Sequence, residues 1–347
     1  MKIVVDKGIK SFEEIATTIN GFEEIEFLYL ETKEITNDCL QEAEAVFVRS
    51  TTKVDKTLLE NTQIKIVGSA TAGMDHIDLE YLKKENIKWF CTPGSNSWSV
   101  VNYVMSSLCY LNEEKLFDLK NKIGIVGYGN IGKKLKVVLD TFSIPCFVYD
   151  PFLDHDFLCN INEIKDCDLI SLHIPLTYNN SYPTFKLVDK FFLDDITDKI
   201  LINTSRGGVV DEDYLLESNK VNYISDVWIN EPTPSREIID YALLSTPHIA
   251  GHSHNGKINS TINLIKFLQK ILKINDGLQS KNNLKIEKFY EVINLLEPFS
   301  INAYYSEYQI DKESSEFKRN YLNADNDPKK TFEKCRYNHS FRKDIEI

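Results

Sequence analysis

The chain has no cluster of Lys and Arg. Its 40 basic residues are outnumbered by 52 acidic ones among 347, giving a formal net charge of −12. A nucleic-acid backbone is bound by a basic face that releases counterions, so no nucleic-acid partner is expected. Long apolar runs are missing too. The longest mostly apolar stretch, Val100 to Leu111, is broken by Asn102, Ser106 and Ser107 and falls short of the ~20 residues that span a bilayer. No membrane association is expected. The opening MKIVVDKGIK has neither a long apolar run nor a small-residue cleavage site, so no secretion signal is expected. The seven cysteines (Cys39, Cys91, Cys109, Cys146, Cys159, Cys167 and Cys335) are odd in number, scattered and without a C-x-x-C pair. That argues against a disulfide scaffold and for reduced thiols in the cytoplasm. There is no internal repeat and no low-complexity tract.

What is present is a globular composition, 42% hydrophobic, with a length that suggests two domains and a remainder at roughly 150 residues each. Short β-rich apolar runs alternate with amphipathic stretches up to about residue 250, the pattern of a parallel sheet covered by crossover helices. One series of predicted strands is Lys2–Asp6, Ile25–Leu30, Ala45–Arg49, Ile64–Ala70 and Lys88–Thr92. A second is Lys122–Tyr128, Pro145–Asp150, Leu169–Ile174, Lys199–Asn203, Tyr223–Val227 and Pro247–Ala250. Two series imply two doubly wound lobes. Pro93 to Ser97 breaks the first series and caps a helix over Val100–Leu111 that bridges the lobes. Lys257–Leu272 is amphipathic and has no partner strand in the second lobe, so it is expected to return to the first. Ile274–Lys285 reads as a linker, and the charged, Tyr-rich remainder as a small appended element.

Gly127-Tyr128-Gly129-Asn130-Ile131-Gly132 lies between a predicted strand and a predicted helix. Glycines there permit a tight turn and close backbone approach, and the helix N-terminus offers unpaired N–H groups to a pyrophosphate. Asp150 ends the next strand, 18 residues past Gly132, where a carboxylate can bond the adenosine ribose hydroxyls and repel a 2′-phosphate. A lone G-x-G-x-x-G is weak, but this context favours a dinucleotide site for NAD.

Three polar residues fall where strands of the second lobe should end: Arg206 in Asn203–Gly208, Glu231 before Pro232, and His248 in Pro247–Gly251. Strand carboxyl ends line the ligand crevice of open α/β sheets. Arginine offers a planar fork to a carboxylate, histidine exchanges a proton with a hydroxyl, and glutamate orients the imidazole and stabilises its charged form. His248, His252 and His254 lack Cys or acidic partners at zinc spacing, and Asp75–Asp78 reads as a loop with Asp78 starting a helix, so no metal is expected. In the first lobe, Arg49–Lys53 and Gly68–Gly73 each close a strand. Their hydroxyls, N–H groups and cations suit an anionic small molecule, a phosphate particularly, or form ordinary strand-end turns.

GYGNIG with Asp150, NTSRGGVVDE, INEP and PHIAG, in this order and spacing, resemble the NAD-dependent D-2-hydroxyacid dehydrogenase family over about residues 1–275. The resemblance implies an α/β fold of two Rossmann-like doubly wound parallel-sheet lobes plus a small C-terminal α/β dimerisation region. The flavodoxin-like substrate lobe would comprise 1–95 with 255–275, the NAD lobe 96–254, and the dimerisation region 276–347. Position by position, it implies Arg206 as the substrate-carboxylate ligand, His248 as acid/base and Glu231 as its partner. Gly127, Gly129, Asn130, Ile131, Gly132, Asp150, Ile174, Thr204, Ser205, Arg206, Asp226 and Gly251 would contact NAD, and Arg49, Ser50, Thr71 and His252 the substrate. FVRSTTKVDKTLL, IKIVGSATAGMDHID, PGSNSWSVVNYVMSSL, HIAGHSHNGK and the tail FEKCRYNHSFRKD are similar to members that oxidise a phosphorylated 2-hydroxy acid and form homodimers. His252 stands where that pattern has a tyrosine, and Asn102 where it has an acid. Other readings are a family member acting on phosphoglycerate, glycerate or D-lactate, and a binding protein that uses NAD as an effector.

Overall fold

The computed structural model describes residues 1–274, 300–324, 327–339 and 341–347. The linker expected after Ile274 and the first part of the expected C-terminal region, 276–299, lie outside the described residues. Two compact units are formed. One holds Met1–Asn96 and the helix His254–Leu272, the other Ser97–His252 and the C-terminal helices.

The first unit is a parallel sheet of β1 (Lys2–Asp6), β2 (Glu26–Leu30), β3 (Ala45–Val48), β4 (Ile66–Ser69) and β5 (Lys88–Phe90), in the order β2-β1-β3-β4-β5. β3 reads Ala-Val-Phe-Val and every residue is buried, the continuous apolar run of a strand covered on both faces. Phe12 meets Phe27 and Phe47 edge to face at 5.6 and 5.7 Å. The helix His254–Leu272 buries Ile258, Leu264, Ile265 and Leu268 in the same cluster. A side chain at Gly68 would meet Leu264 and Phe47 at 2.7 Å, so a glycine there lets this helix sit directly on the sheet.

The second unit is a parallel sheet of β6 (Ile123–Val126), β7 (Cys146–Tyr149), β8 (Leu169–Leu172), β9 (Ile200–Asn203), β10 (Asn222–Ser225) and β11 (Leu244–Ser245), ordered β11-β10-β9-β8-β6-β7. The last strand differs from the expected Pro247–Ala250. That segment is a loop in which His248 has φ 60°. Its N–H groups turn to Asp226 rather than to a neighbouring strand: those of His248, Ile249 and Ala250 all donate to that residue.

The helix Ser97–Glu113 is longer than the expected Val100–Leu111, and it buries Ser97, Ser99, Asn102, Ser106 and Ser107. Ser107 Oγ donates to the Tyr103 carbonyl at 2.9 Å and Ser106 Oγ to that of Tyr308. The C-terminal region, expected to be α/β, is helical among the described residues: Ala303–Glu307, Ile310–Leu322 and Pro328–Asn338. Its apolar residues have a specific use. Phe317, Tyr321 and Phe332 join the core around Ile238 and Ile239, and Ser314 Oγ accepts the Ser245 N–H at 2.9 Å on the edge strand β11. A sheet edge is thereby covered by a helix.

Asn102 is 2% exposed and pairs with the C-terminal backbone in both directions: Nδ2 donates to the Ile345 carbonyl at 2.9 Å, and Oδ1 accepts the Ile345 N–H at 2.8 Å. Nδ2 also donates to the Trp98 carbonyl at 2.8 Å. This explains the amide where the resemblance has an acid, because a carboxylate has no proton for either carbonyl. Asn102→Asp should therefore lower the unfolding free energy by ~1–3 kcal/mol, read from the urea midpoint at constant m-value. An unchanged midpoint would contradict the pairing.

Candidate active site

The nucleotide turn follows β6. The Gly127 N–H donates to the Tyr149 carbonyl at 2.8 Å, and the helix Asn130–Thr141 begins immediately after Gly129. Gly127 has φ 97°, and a Cβ there would lie 2.4 Å from the His173 carbonyl and 2.8 Å from Ile174. A Cβ on Gly132 would lie 2.0 Å from the Gly127 carbonyl. These two glycines are required by packing. Gly129 is different, because a Cβ there would meet nothing within 4 Å. Its bare backbone beside the N–H groups of Asn130, Ile131 and Gly132 leaves room for a diphosphate. Asp150 Oδ2 accepts the Tyr128 N–H at 2.9 Å and Oδ1 the Phe152 N–H at 3.0 Å, so this carboxylate also braces the turn.

After β9 the chain folds over Asn203. Its Oδ1 accepts the N–H and the hydroxyl of Ser205 at 3.0 and 2.7 Å, and its Nδ2 donates to the Arg206 carbonyl at 3.1 Å. The Arg206 guanidinium is part-buried, with Nη1 donating to the Ser205 carbonyl at 2.8 Å. Thr204 Oγ1 lies 3.3 Å from Nδ1 of His173, whose Nε2 lies 2.9 Å from Ser171 Oγ. Burial pushes His173 down to about 3, so it is a neutral spacer between hydroxyls.

β10 leads to Asp226, which is 1% exposed. Its Oδ1 accepts from Ile249 N at 2.7 Å and Thr246 Oγ1 at 2.6 Å, and its Oδ2 from Ala250 N at 2.8 Å. Expected to contact the cofactor, Asp226 has its carboxylate engaged by the loop that carries His248, and Gly251 follows in that loop. Further on, Glu231 Oε1 accepts the Trp228 N–H at 2.8 Å, and Oε2 lies 2.7 Å from His248 Nδ1. Burial raises the Glu231 carboxyl, but the His248 charge and hydrogen bond, the Trp228 N–H and Arg336 outweigh it and hold the group below its usual value. An ionised carboxylate only accepts, so Nδ1 carries the proton and Nε2 of the neutral ring is the basic nitrogen. Ser225 is in register with Asn203 on one side and Ser245 on the other. The loops bearing Arg206, Glu231 and His248 thus leave the same end of three adjacent strands.

A second carboxyl lies beside this turn. Glu212 accepts the Ile229 N–H on both oxygens at 3.3 Å. Burial pushes it up to about 8, with the Ile229 N–H opposing and the Glu231 charge adding. Two neighbouring acids are thus driven apart, leaving Glu212 protonated and Glu231 charged. Between about pH 4.5 and 8 the folded chain keeps a proton that the unfolded chain has lost, so stability falls as pH rises through that window. Glu212→Gln removes this fall. Its Tm relative to the unsubstituted chain should climb by several degrees from pH 5 to pH 9 in thermal melts. A difference flat with pH would contradict the protonated state.

In the first unit, Arg49 Nε donates to Asp6 Oδ1 at 3.1 Å and Nη2 to Thr32 Oγ1 at 2.7 Å, so much of its fork is already committed. Ser50 is exposed. Thr71 Oγ1 lies 2.7 Å from Ser69 Oγ and donates to the Gly73 carbonyl at 2.7 Å. Ser69 Oγ also meets His76 Nε2 at 2.9 Å, and Asp78 caps Leu79–Lys84 through the Tyr81 N–H. These residues follow β3 and β4. His252 belongs to the second unit, where its ring stacks on His339 at 5.2 Å. Among the described residues no three His, Cys, Asp or Glu side chains gather as a metal site, and no helix is long and apolar enough to cross a membrane.

Sequence reasoning passed over His173 and Glu212. His173 directly follows the apolar strand β8, and its proximity to Gly127 is visible only in the fold. Glu212 sits in an acidic helix start, Asp211-Glu212-Asp213, that looks solvated in sequence.

A parallel sheet with a nucleotide turn and a carboxylate–imidazole pair at its strand ends defines a nucleotide-dependent oxidoreductase site. Residues 3–309 match the D-isomer specific 2-hydroxyacid dehydrogenase, catalytic domain, and the chain belongs to that family. It is 36% identical to the erythronate-4-phosphate dehydrogenase of Wigglesworthia glossinidia brevipalpis over 96% of this chain and 88% of that protein. It is 38% identical to the protein of the same name from Hahella chejuensis, over 78% and 72%. Among solved structures it resembles the NAD+-bound 3-phosphoglycerate dehydrogenase of Entamoeba histolytica, with a TM-score of 0.65 and 25% identity, covering 81% of this chain and 99% of that one.

Proposed function

We propose that the chain is an NAD-dependent dehydrogenase that oxidises 4-phospho-D-erythronate to 2-oxo-3-hydroxy-4-phosphobutanoate, a step of pyridoxal phosphate (vitamin B6) biosynthesis. The observation that carries it is the 2.7 Å Glu231–His248 pair on the same sheet as the Gly127–Gly132 cradle. NAD, held when bound by the cradle and by Asp150, supplies the hydride acceptor. Ile174, Thr204, Ser205 and Gly251 line the same strand ends. Arg206 binds the substrate carboxylate and so fixes C2. His248 Nε2 takes the C2 hydroxyl proton as the hydride leaves C2 and the C–O bond becomes a carbonyl, and Glu231 stabilises the imidazolium so formed. By the family resemblance the phosphate is directed to the loop that begins with Arg49 and Ser50, and Ser50, Thr71 and His252 are substrate contacts.

The test is NADH absorbance with a panel of 2-hydroxy acids, each with and without a 4-phosphate. A marked preference for 4-phosphoerythronate is expected. Equal rates with phosphorylated and unphosphorylated acids would return the assignment to the family at large, and no turnover with any would leave an NAD-binding protein. A homodimer formed through the C-terminal region, in the cytoplasm, belongs to the same reading. Exposed Tyr337 and Phe341 support it as apolar surface there, and a one-chain mass in sedimentation would remove it.

A further inference from the structure

The last residues of the chain reach the loop that carries His248. Arg342 is 6% exposed. Its Nη1 donates to the Ile249 carbonyl at 3.2 Å, and its Nη2 donates to the Ala250 carbonyl and, at 2.8 Å, to that of Ser99. The guanidinium lies 4.3 Å from the centre of the Tyr308 ring. The same peptides are held by their N–H groups from Asp226: its carboxylate takes Ile249 and Ala250, and its carbonyl takes His248 at 2.8 Å.

This loop has no strand or helix ladder, and His248 is in the left-handed region with φ 60°. Its backbone groups need partners from elsewhere. Two buried residues of opposite charge provide them, Asp226 taking the N–H groups and Arg342 the carbonyls. A buried guanidinium is costly unless its donors are used; Nη1 and Nη2 both donate to carbonyls, only Nε being left without a partner, and a tail that merely docked through apolar contact would not need such a group. The tail is also fixed at both ends. Asn102 pairs with Ile345 in both directions, Ser99 Oγ donates to Asp344 Oδ2 at 3.0 Å, and His339 Nε2 lies 3.1 Å from His252 Nδ1.

We propose that the C-terminal tail is a positioning element of the active site, in which Arg342 fixes His248 through the carbonyls of Ile249 and Ala250. This rests on the reading of His248 as the base. Arg342 is a positioning residue and touches no substrate in this scheme.

The test uses full-length Arg342→Lys and Arg342→Gln, with kcat, KM, NAD affinity and amide hydrogen exchange measured on each. Lysine keeps the charge and loses the fork. Displacing a reacting group by about 1 Å costs up to about 10²-fold, so kcat should fall ~10- to 100-fold in both, with KM and NAD affinity within about twofold. Exchange at Ile249 and Ala250 should quicken at least tenfold, on the order expected for a lost local constraint, while β6 amides stay unchanged. Wild-type kcat and wild-type exchange in a folded variant would overturn the proposal. So would quickened exchange throughout the second unit, which would mean a general structural role. Should neither variant be stable enough to purify, Asn102→Ala loosens the same tail at Ile345 and must show the same pattern, and normal kcat and exchange there would overturn it equally. His248→Gln in the same assay keeps the two ideas apart. If that change leaves kcat intact, the base assignment fails, whereas an inactive His248→Gln beside fully active Arg342 variants sinks only the clamp.

Discussion

His248→Gln should lower kcat for 4-phosphoerythronate by ~10²–10⁴ while leaving NAD affinity unchanged. Glutamine keeps a polar group near Glu231 but has no nitrogen that accepts a proton at neutral pH. The cofactor cradle is built from β6, the Gly127–Gly132 turn and Asp150, none of which the change touches. Glu231→Gln should cost nearly as much for a different reason. The 2.7 Å contact with an ionised carboxylate sets the proton on Nδ1. An amide can donate to Nδ1 instead, which shifts the proton to Nε2 and removes the base. Because the two act as one unit, the double variant should be about as slow as the worse single one, and multiplied losses would mean independent roles. Stopped-flow and steady-state NADH formation measure all three. A His248→Gln enzyme with unchanged kcat would take the imidazole out of the mechanism.

The parts legible in sequence are those that a local pattern specifies. Strands such as β1 and β3 are short apolar runs buried on both faces, and the nucleotide turn is a glycine spacing whose steric need is visible at Gly127 and Gly132. Arg206, Glu231 and His248 stand out in sequence as candidates because each ends a predicted strand or follows one closely. What local pattern could not show was long-range satisfaction of polar groups. Pro247–Ala250 has the composition of a strand, yet Asp226, more than 20 residues earlier, draws its N–H groups out of any ladder. Asn102, Ser106 and Ser107 read as interruptions of an apolar helix and are instead where that helix receives the C-terminal backbone or bonds its own turn. Glu212 looks like a solvated acid until burial beside Glu231 is known. Except for Ser107, whose partner Tyr103 is one turn away, the missing information is a partner that lies far away in sequence.

Arg206→Lys should lower kcat/KM by about 10²-fold, although the charge is kept. A guanidinium presents two parallel N–H donors to a carboxylate, and an ammonium presents a point charge without that plane. Hydrogen bonds to charged groups are each worth ~1.5–3 kcal/mol, so losing one of two and misdirecting the other is worth about two powers of ten. The loop holds the planar group in place. Nη1 is tied to the Ser205 carbonyl at 2.8 Å, and the loop is set by Asn203 through Ser205 and the Arg206 carbonyl. Lysine keeps the backbone contacts and loses the side-chain one, so the penalty falls on substrate orientation rather than on the fold. Under the proposed function orientation brings the C2 hydroxyl to His248 Nε2, so both KM and kcat should suffer, whereas loss of simple attraction would raise KM alone. The discriminating substrate is an alcohol of matching length that lacks the carboxylate. Wild type should oxidise it slowly, and Arg206→Lys should oxidise it no more slowly than wild type does. If the substitution slowed the alcohol and the acid by the same factor, Arg206 would serve the cofactor or the loop, and the carboxylate would have to be held elsewhere.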